Sequence, residues 1–320
     1  MNKSVQLFLI KSFVFSALSW GTVEILFRFN LFKTYDFSTA YNAAIIDKFA
    51  RLQSIKSPKV VLIAGSNFAY GINSQMLEQA LQKPVYNMAM HYDFGTKFMF
   101  KQLSPELNKG DTVIMGFEYI VESEGNKKEQ LLMASYFPKA TEWIEYKDIF
   151  EYIGENARLK INAFKINLDR VFSGKITGGK VSDTTSIFIR NGFNQYGDLV
   201  SHYNNPPIRP LPLALLSENT SLQTPIADMN AFYKTMRTKG ILVVFVYPTY
   251  ANSSFKHHHK IIDKLEKEYQ TYAQFPILGK PSDCVFDDSL YHDMAYHLTQ
   301  RGGDMRTQKI IQLLKNQPNH

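Results

Sequence analysis

Strand-like and helix-like patterns alternate three times between residues 59 and 119. Val60-Val61-Leu62-Ile63 is a short apolar, β-branched run that stops at Gly65-Ser66-Asn67, and a polar helical segment follows from about Asn73 to Leu81, capped by Asn73 or Ser74. Val85 to Met88 reads as a second strand and ends in Ala89-Met90-His91; Asp93-Phe94-Gly95 then opens a helix to about Leu103. After a turn at Gly110-Asp111, Thr112 to Met115 is a third strand, which leaves through Gly116-Phe117-Glu118-Tyr119. The cadence breaks over about 125–223 and then resumes. A helix over Pro225 to Arg237 terminates at Gly240, and a wholly apolar strand over Ile241 to Tyr247 terminates at Pro248. A charged helix over Phe255 to Tyr272, a short strand at Cys284-Val285-Phe286 and a last helix to about Lys315 follow. This alternation predicts an α/β fold around a parallel central sheet covered on both faces.

Ahead of the first strand, Ala43, Ile46, Phe49 and Leu52 form one helical stripe within Asp36 to about Ser54, which Ser57-Pro58 stops. In the middle region, Trp143 to Phe172 reads as a helix with a charged exposed face, and Gly174 to Gly179 as a loop. Ser186 to Arg190 and Leu199 to Tyr203 pair as a hairpin around Asn194–Asp198, and a proline-rich extended connection follows from Asn204. The region at about 125–223 is an insertion, either a lid or substrate-binding surface or a structural embellishment. At the N-terminus an apolar run extends from about Val5 to Phe32, interrupted by Lys11, Glu24 and Arg28. It reads as an uncleaved signal anchor, with Lys3 and Lys11 predicting that its N-terminal side stays inside. The division expected is an anchor at 1–33 and an exported α/β domain at 34–320; a buried or amphipathic helix of a soluble protein is the alternative.

An apolar fraction of 45% over 320 residues is ample for a core. The net charge of +7 comes from scattered Lys and Arg, and no nucleic-acid-binding signature accompanies it, so nucleic acid is not an expected partner. Cys284 is the only cysteine, which excludes an internal disulfide. His257-His258-His259 opens a helix on which adjacent side chains diverge, so it reads as a solvated surface and not as a metal site; no metal or cofactor is expected.

The candidate chemistry lies at two distant places. Ser66 stands in the turn that ends the first strand, at the carboxyl edge of the sheet where sites of open α/β folds gather. A serine hydroxyl needs a base within hydrogen-bond reach, and that base needs an orienting partner. The stretch Asp287 to Gly303 carries Asp288, His292, Asp293 and His297 between the last strand and the last helix, at the same edge. His297 is the preferred base because Leu298-Thr299 and a glycine-rich helix start follow it; Asp293 is its preferred partner, with Asp288 left open.

These residues resemble a known family. Gly65-Ser66-Asn67, Asn87-Met88-Ala89 and Asp293 with His297-Leu298-Thr299-x-x-Gly302 look like three sequence blocks of the SGNH/GDSL hydrolase superfamily. More narrowly they are similar to its membrane-anchored DltD-like and alginate-acetylation-type members. The resemblance covers Lys59 to Tyr119 and Ile241 to Lys315. It implies a three-layer flavodoxin-like fold, with Ser66 as nucleophile, His297 as base and Asp293 as its orienter. It implies the backbone N–H groups of Ser66 and Ala89 as oxyanion donors. The implied activity is ester hydrolysis or O-acyl transfer on a cell-surface polysaccharide, or on a small ester, beside a membrane-bound acyltransferase partner. A catalytically weak member that binds a glycan or a membrane partner is the alternative. Three departures stand out. Ala89 replaces a glycine; Glu118 stands near the slot of an oxyanion asparagine, a role then left to Asn67 or Asn87; and the acid and base are spaced Asp-x-x-x-His instead of Asp-x-x-His.

Overall fold

The computed structural model describes residues 2–28, 37–172 and 187–316. Helices and strands follow in the order α1 (Lys3–Arg28), α2 (Ala44–Ser54), β1 (Val60–Ile63), α3 (Ser66–Ala69), α4 (Ser74–Leu81), β2 (Val85–Asn87), α5 (Thr96–Leu103), β3 (Thr112–Met115), α6 (Lys127–Tyr136) and α7 (Ile149–Phe172). They continue with α8 (Gln223–Thr238), β4 (Leu242–Val246), β5 (Tyr250–Ala251), α9 (Asn252–Tyr272), β6 (Ile277–Leu278), β7 (Val285–Phe286) and α10 (Gln300–Lys315). The chain divides into two compact units, one of residues 1–40 and 146–186, the other of 41–145 and 187–320. The expected insertion is thus shared between them: its long helix α7 belongs with α1, and its flanks belong with the α/β unit.

In the first unit α7 packs against α1. Helix α1 is continuous through Lys11, and its stretch Lys3–Ile25, 23 residues, is long and apolar enough to cross a membrane. At 1.5 Å per residue that is about 35 Å, against a hydrocarbon core of roughly 30 Å.

The second unit is built on a five-stranded sheet in the order β2-β1-β3-β4-β6, every neighbouring pair parallel. Val61 in the interior strand β1 faces Tyr86 on one side and Val113 on the other. All four β1 residues are buried, as a strand sandwiched between two helical layers requires. Helices α4 and α10 pack together, and α5, α8 and α9 form the other group. Right-handed crossovers put these two groups on opposite faces of the sheet. Val60, Leu62, Phe68, Leu77, Val244 and Ile310 belong to one buried cluster that joins sheet, α4 and α10.

Several boundaries differ from expectation. The fifth strand of the sheet is Ile277–Leu278, while Val285–Phe286 pairs with β5 in a separate two-stranded sheet. Pro276 and Gly279 hem in β6, leaving two paired residues and no periodicity to read. The expected hairpin reduces to one antiparallel bridge, Phe193 to Leu199, around a turn in which Gly197 takes φ +83°. Arg190–Gly192 is instead a 3-10 turn. The expected loop at Gly174–Gly179 lies outside the described residues.

Candidate functional site

The turn after β1 does not run straight into the long helix. Ser66 opens a single helical turn, α3, and the longer α4 starts only at Ser74, where the Asn73 side chain accepts the Met76 N–H at 3.0 Å. Glu118, fully buried at the exit of β3, clamps the turn: its two carboxylate oxygens accept the amides of Gly65 (3.1 Å) and Asn67 (2.8 Å). Gly65 is a glycine for steric reasons, because a Cβ there would fall 2.5 Å from one Glu118 oxygen and 2.6 Å from the other. From α10, Arg306 reaches the same turn. Its Nη1 donates to Asn67 O and its Nη2 to Asn67 Oδ1, both at 2.7 Å, and its plane lies over Phe68. Burial lowers the Arg306 pKa to about 10.

The second half of the site is the loop between β7 and α10. Tyr291 and Leu298 form an isolated antiparallel bridge, and the His292 amide donates to His297 O at 2.8 Å. This closes a short loop with Asp293 and His297 on one side of it. His297 Nδ1 lies 2.8 Å from Asp293 Oδ1. A carboxylate only accepts, so Nδ1 carries a proton and donates it to Asp293, which leaves Nε2 as the nitrogen free to act on a substrate. Burial opposes the Asp293 charge, but the hydrogen bond and charge of His297 outweigh it and hold the carboxyl below its usual value. Thr299 caps α10 by accepting the Gly302 N–H, and Gly302 admits the backbone of Leu290, whose carbonyl oxygen would lie 2.5 Å from a Cβ. Asp288 turns away and accepts the Ser253 amide at 2.9 Å, so Asp293 alone of the two acids serves His297.

Tyr70 joins the two halves. Its amide donates to Ser66 O at 2.9 Å, and its ring stacks on the His297 imidazole with centroids 3.8 Å apart and planes 5° from parallel. Ser66 and His297 therefore lie on the same side of the molecule, at the carboxyl edge of the sheet. Their side chains are not hydrogen-bonded to each other: His297 Nε2 is buried with no hydrogen-bond partner among the described residues. Ser66 is 7% exposed.

The expected oxyanion donors are largely engaged elsewhere. The Ala89 amide donates to Asn87 Oδ1 at 3.0 Å. Asn87 Nδ2 donates to Phe68 O and Asp198 Oδ1, both at 2.9 Å. Asn67 Nδ2 donates to Gly116 O at 2.7 Å. Asn67, Asn87, Ala89 and Glu118 are thus the scaffold of the turn. The Ser66 amide, at the first position of α3, precedes the first bond donated within that turn, from Phe68 N to Gly65 O.

Sequence reasoning did not single out Tyr70, His202 or Arg306. His202 comes from the insertion: its Nε2 donates to Leu298 O at 2.8 Å, and its ring sits 4.8 Å from Tyr70 and 5.2 Å from His292. Close by, Ile208 N donates to His292 O, and Arg209 Nη2 to Tyr291 O. The flank of the insertion is therefore fastened over the histidine loop. For Arg306 a signal existed: Gly302, Gly303, Arg306, Thr307 and Ile310 are the buried stripe of α10, and a basic residue on such a stripe demands a buried acceptor. No family model and no curated protein matches this chain.

Proposed function

We propose that the chain is a serine-dependent ester hydrolase or O-acyltransferase with Ser66 as nucleophile, His297 as general base and Asp293 as the orienter of that base. The observation that carries this reading is the His297 ring. One nitrogen is fixed on a carboxylate, one face is held by the tyrosine a turn beyond Ser66, and the other nitrogen is buried with no hydrogen-bond partner among the described residues. An imidazole so held can take a proton through that second nitrogen. The strand order, read as 2-1-3-4-5, supports a flavodoxin-like doubly wound arrangement, whose switch point lies between β1 and β3, where Ser66 and Glu118 leave the sheet.

In the proposed reaction the Ser66 hydroxyl rotates onto His297 Nε2 and attacks an ester carbonyl as the proton passes to the imidazole. The Ser66 amide stabilises the oxyanion. His297 then protonates the departing alcohol, leaving an acyl-serine, and water or a sugar hydroxyl takes up the acyl group. In unliganded enzymes such nucleophile–base contacts are often long and tighten with substrate bound. The N-terminal helix suits a membrane-held protein acting on a cell-surface glycan.

A binding protein of the same fold is the second reading. The engaged state of Asn67, Asn87 and the Ala89 amide favours it, since each oxyanion donor lost typically costs about 3 kcal/mol in the transition state. A fluorophosphonate probe separates the two. Labelling of the folded wild type, lost in Ser66→Ala together with turnover of an aryl acetate by on the order of a thousand-fold or more, supports the enzyme. An unlabelled, folded wild type leaves the binding protein.

A further inference from the structure

Helix α7 has an apolar stripe that is largely exposed among the described residues. Phe150, Ile153, Ala157 and Ile161 recur at helical spacing, and Phe172 continues the line. Of these, Phe150 is 80% exposed, Ile153 56%, Ile161 43% and Phe172 83%. The neighbouring face carries Glu151, Glu155, Arg158 and Asn162, with Arg158 paired to Glu155 at 2.6 Å. The third face meets α1: Ala163 is buried, and Lys160 forms an ion pair with Glu24 and lies 5.7 Å from the Trp20 ring centroid.

We infer that α7 lies in the membrane interface beside the α1 span, with its Phe150–Ile153–Ile161 stripe inserted among lipid acyl chains at headgroup depth. This rests on α1 being a membrane anchor. Depth is fixed by the residues that α7 touches. Trp20 and Glu24 stand near the C-terminal end of the apolar stretch, where a span reaches the headgroups and where tryptophan concentrates. A helix held at that level by Lys160 meets the boundary between headgroups and acyl chains. An apolar stripe flanked by a charged face is the pattern that such a boundary stabilises. Water is a poor occupant, because it would leave several large apolar side chains exposed in one line. A crossing of the bilayer by α7 is excluded by the charges on its second face.

The test uses the full chain in vesicles of phosphatidylcholine and phosphatidylglycerol whose acyl chains carry bromine. Single bimane labels go on Phe150→Cys, Ile161→Cys, Asn162→Cys and Phe13→Cys; Cys284, buried and with its thiol pKa pushed up to about 11, stays unlabelled. The expected result is that bromolipid quenches the fluorescence at 150 and 161 and leaves 162 unchanged. Quenching at 13 with none at 150 and 161 overturns the inference while the anchor stands, and it assigns the stripe to a protein partner or a second copy. No quenching at any position removes both the anchor and the inference.

Discussion

His202 is held neutral by its surroundings. The Leu298 carbonyl can only accept, so the single proton of the neutral ring sits on Nε2, and Nδ1 is buried without a partner among the described residues. Burial lowers its pKa from 6.5 to about 4; the nearby His292 and His297 push the same way, and the Leu298 bond and Asp293 only partly oppose. The folded-state value lies below the unfolded one, so between pH about 6.5 and about 4 the unfolded chain binds a proton that the folded chain refuses. Stability from this group is full above that window and falls as the pH drops through it. Between about pH 7.5 and about pH 4.5 the loss is on the order of 2–3 kcal/mol. His202→Gln keeps an amide donor but cannot titrate. Urea unfolding at those two pH values is expected to give the variant a smaller acid loss by about that amount, and equal losses would refute the role. Nothing in the sequence near Ser201-His202-Tyr203 announces this: a histidine in a turn reads as solvated until the insertion is folded against Tyr70. The pairing of His297 with Asp293 is legible in the sequence because the threonine and glycines after it constrain the loop, and the Ser66 turn is legible from the strand that ends in Gly65. Tyr70, one turn beyond the serine, carries no such signal.

Between elements, the decisive contact is the one from the end of β3 to the end of β1. Read alone, Glu118 is an acid in the place of an oxyanion donor. Folded, it accepts two amides of the α3 turn and so sets where Ser66 stands. Glu118→Gln retains the shape but offers one oxygen where two are needed, and its amide group faces a backbone N–H. Leaving a buried donor unsatisfied costs about 1–3 kcal/mol, so a loss of about 2 kcal/mol is expected from the shift in urea midpoint at unchanged slope. A change within about 0.5 kcal/mol, the range of ordinary surface substitutions, would mean that the clamp is not structural. The sequence revealed the strands with long apolar runs, β1, β3 and β4, because both of their faces are buried and their composition says so. It did not reveal β6, whose two residues are paired by position at the sheet edge and not by any pattern of their own. Nor did it reveal that α7 would join α1: a charged amphipathic helix reads the same whether its stripe faces a sheet, a lipid or a partner.

At the scale of the whole molecule, anchoring by α1 would raise the question of which side of the membrane the α/β unit faces. The apolar stretch of α1 begins at Lys3 and is interrupted early by Lys11, while Glu24 and Arg28 stand at the far end of the helix. Cytoplasmic flanks favour Lys and Arg, so if α1 anchors the chain in a membrane the expected orientation keeps the N-terminus inside and puts the α/β unit on the outer face. On that outer face an esterase or acyl-transfer site would meet cell-surface glycans. The orientation can be read without any activity. Asn219 is exposed in the α/β unit, and the native thiol, Cys284, is buried. Asn219→Cys should react with a membrane-impermeant maleimide on intact cells as fast as after lysis, while the wild type remains unlabelled. Labelling that appears only after lysis would turn the α/β unit to the inside. Ser66 and His297 would keep their geometry, but a cell-surface substrate would be out of their reach.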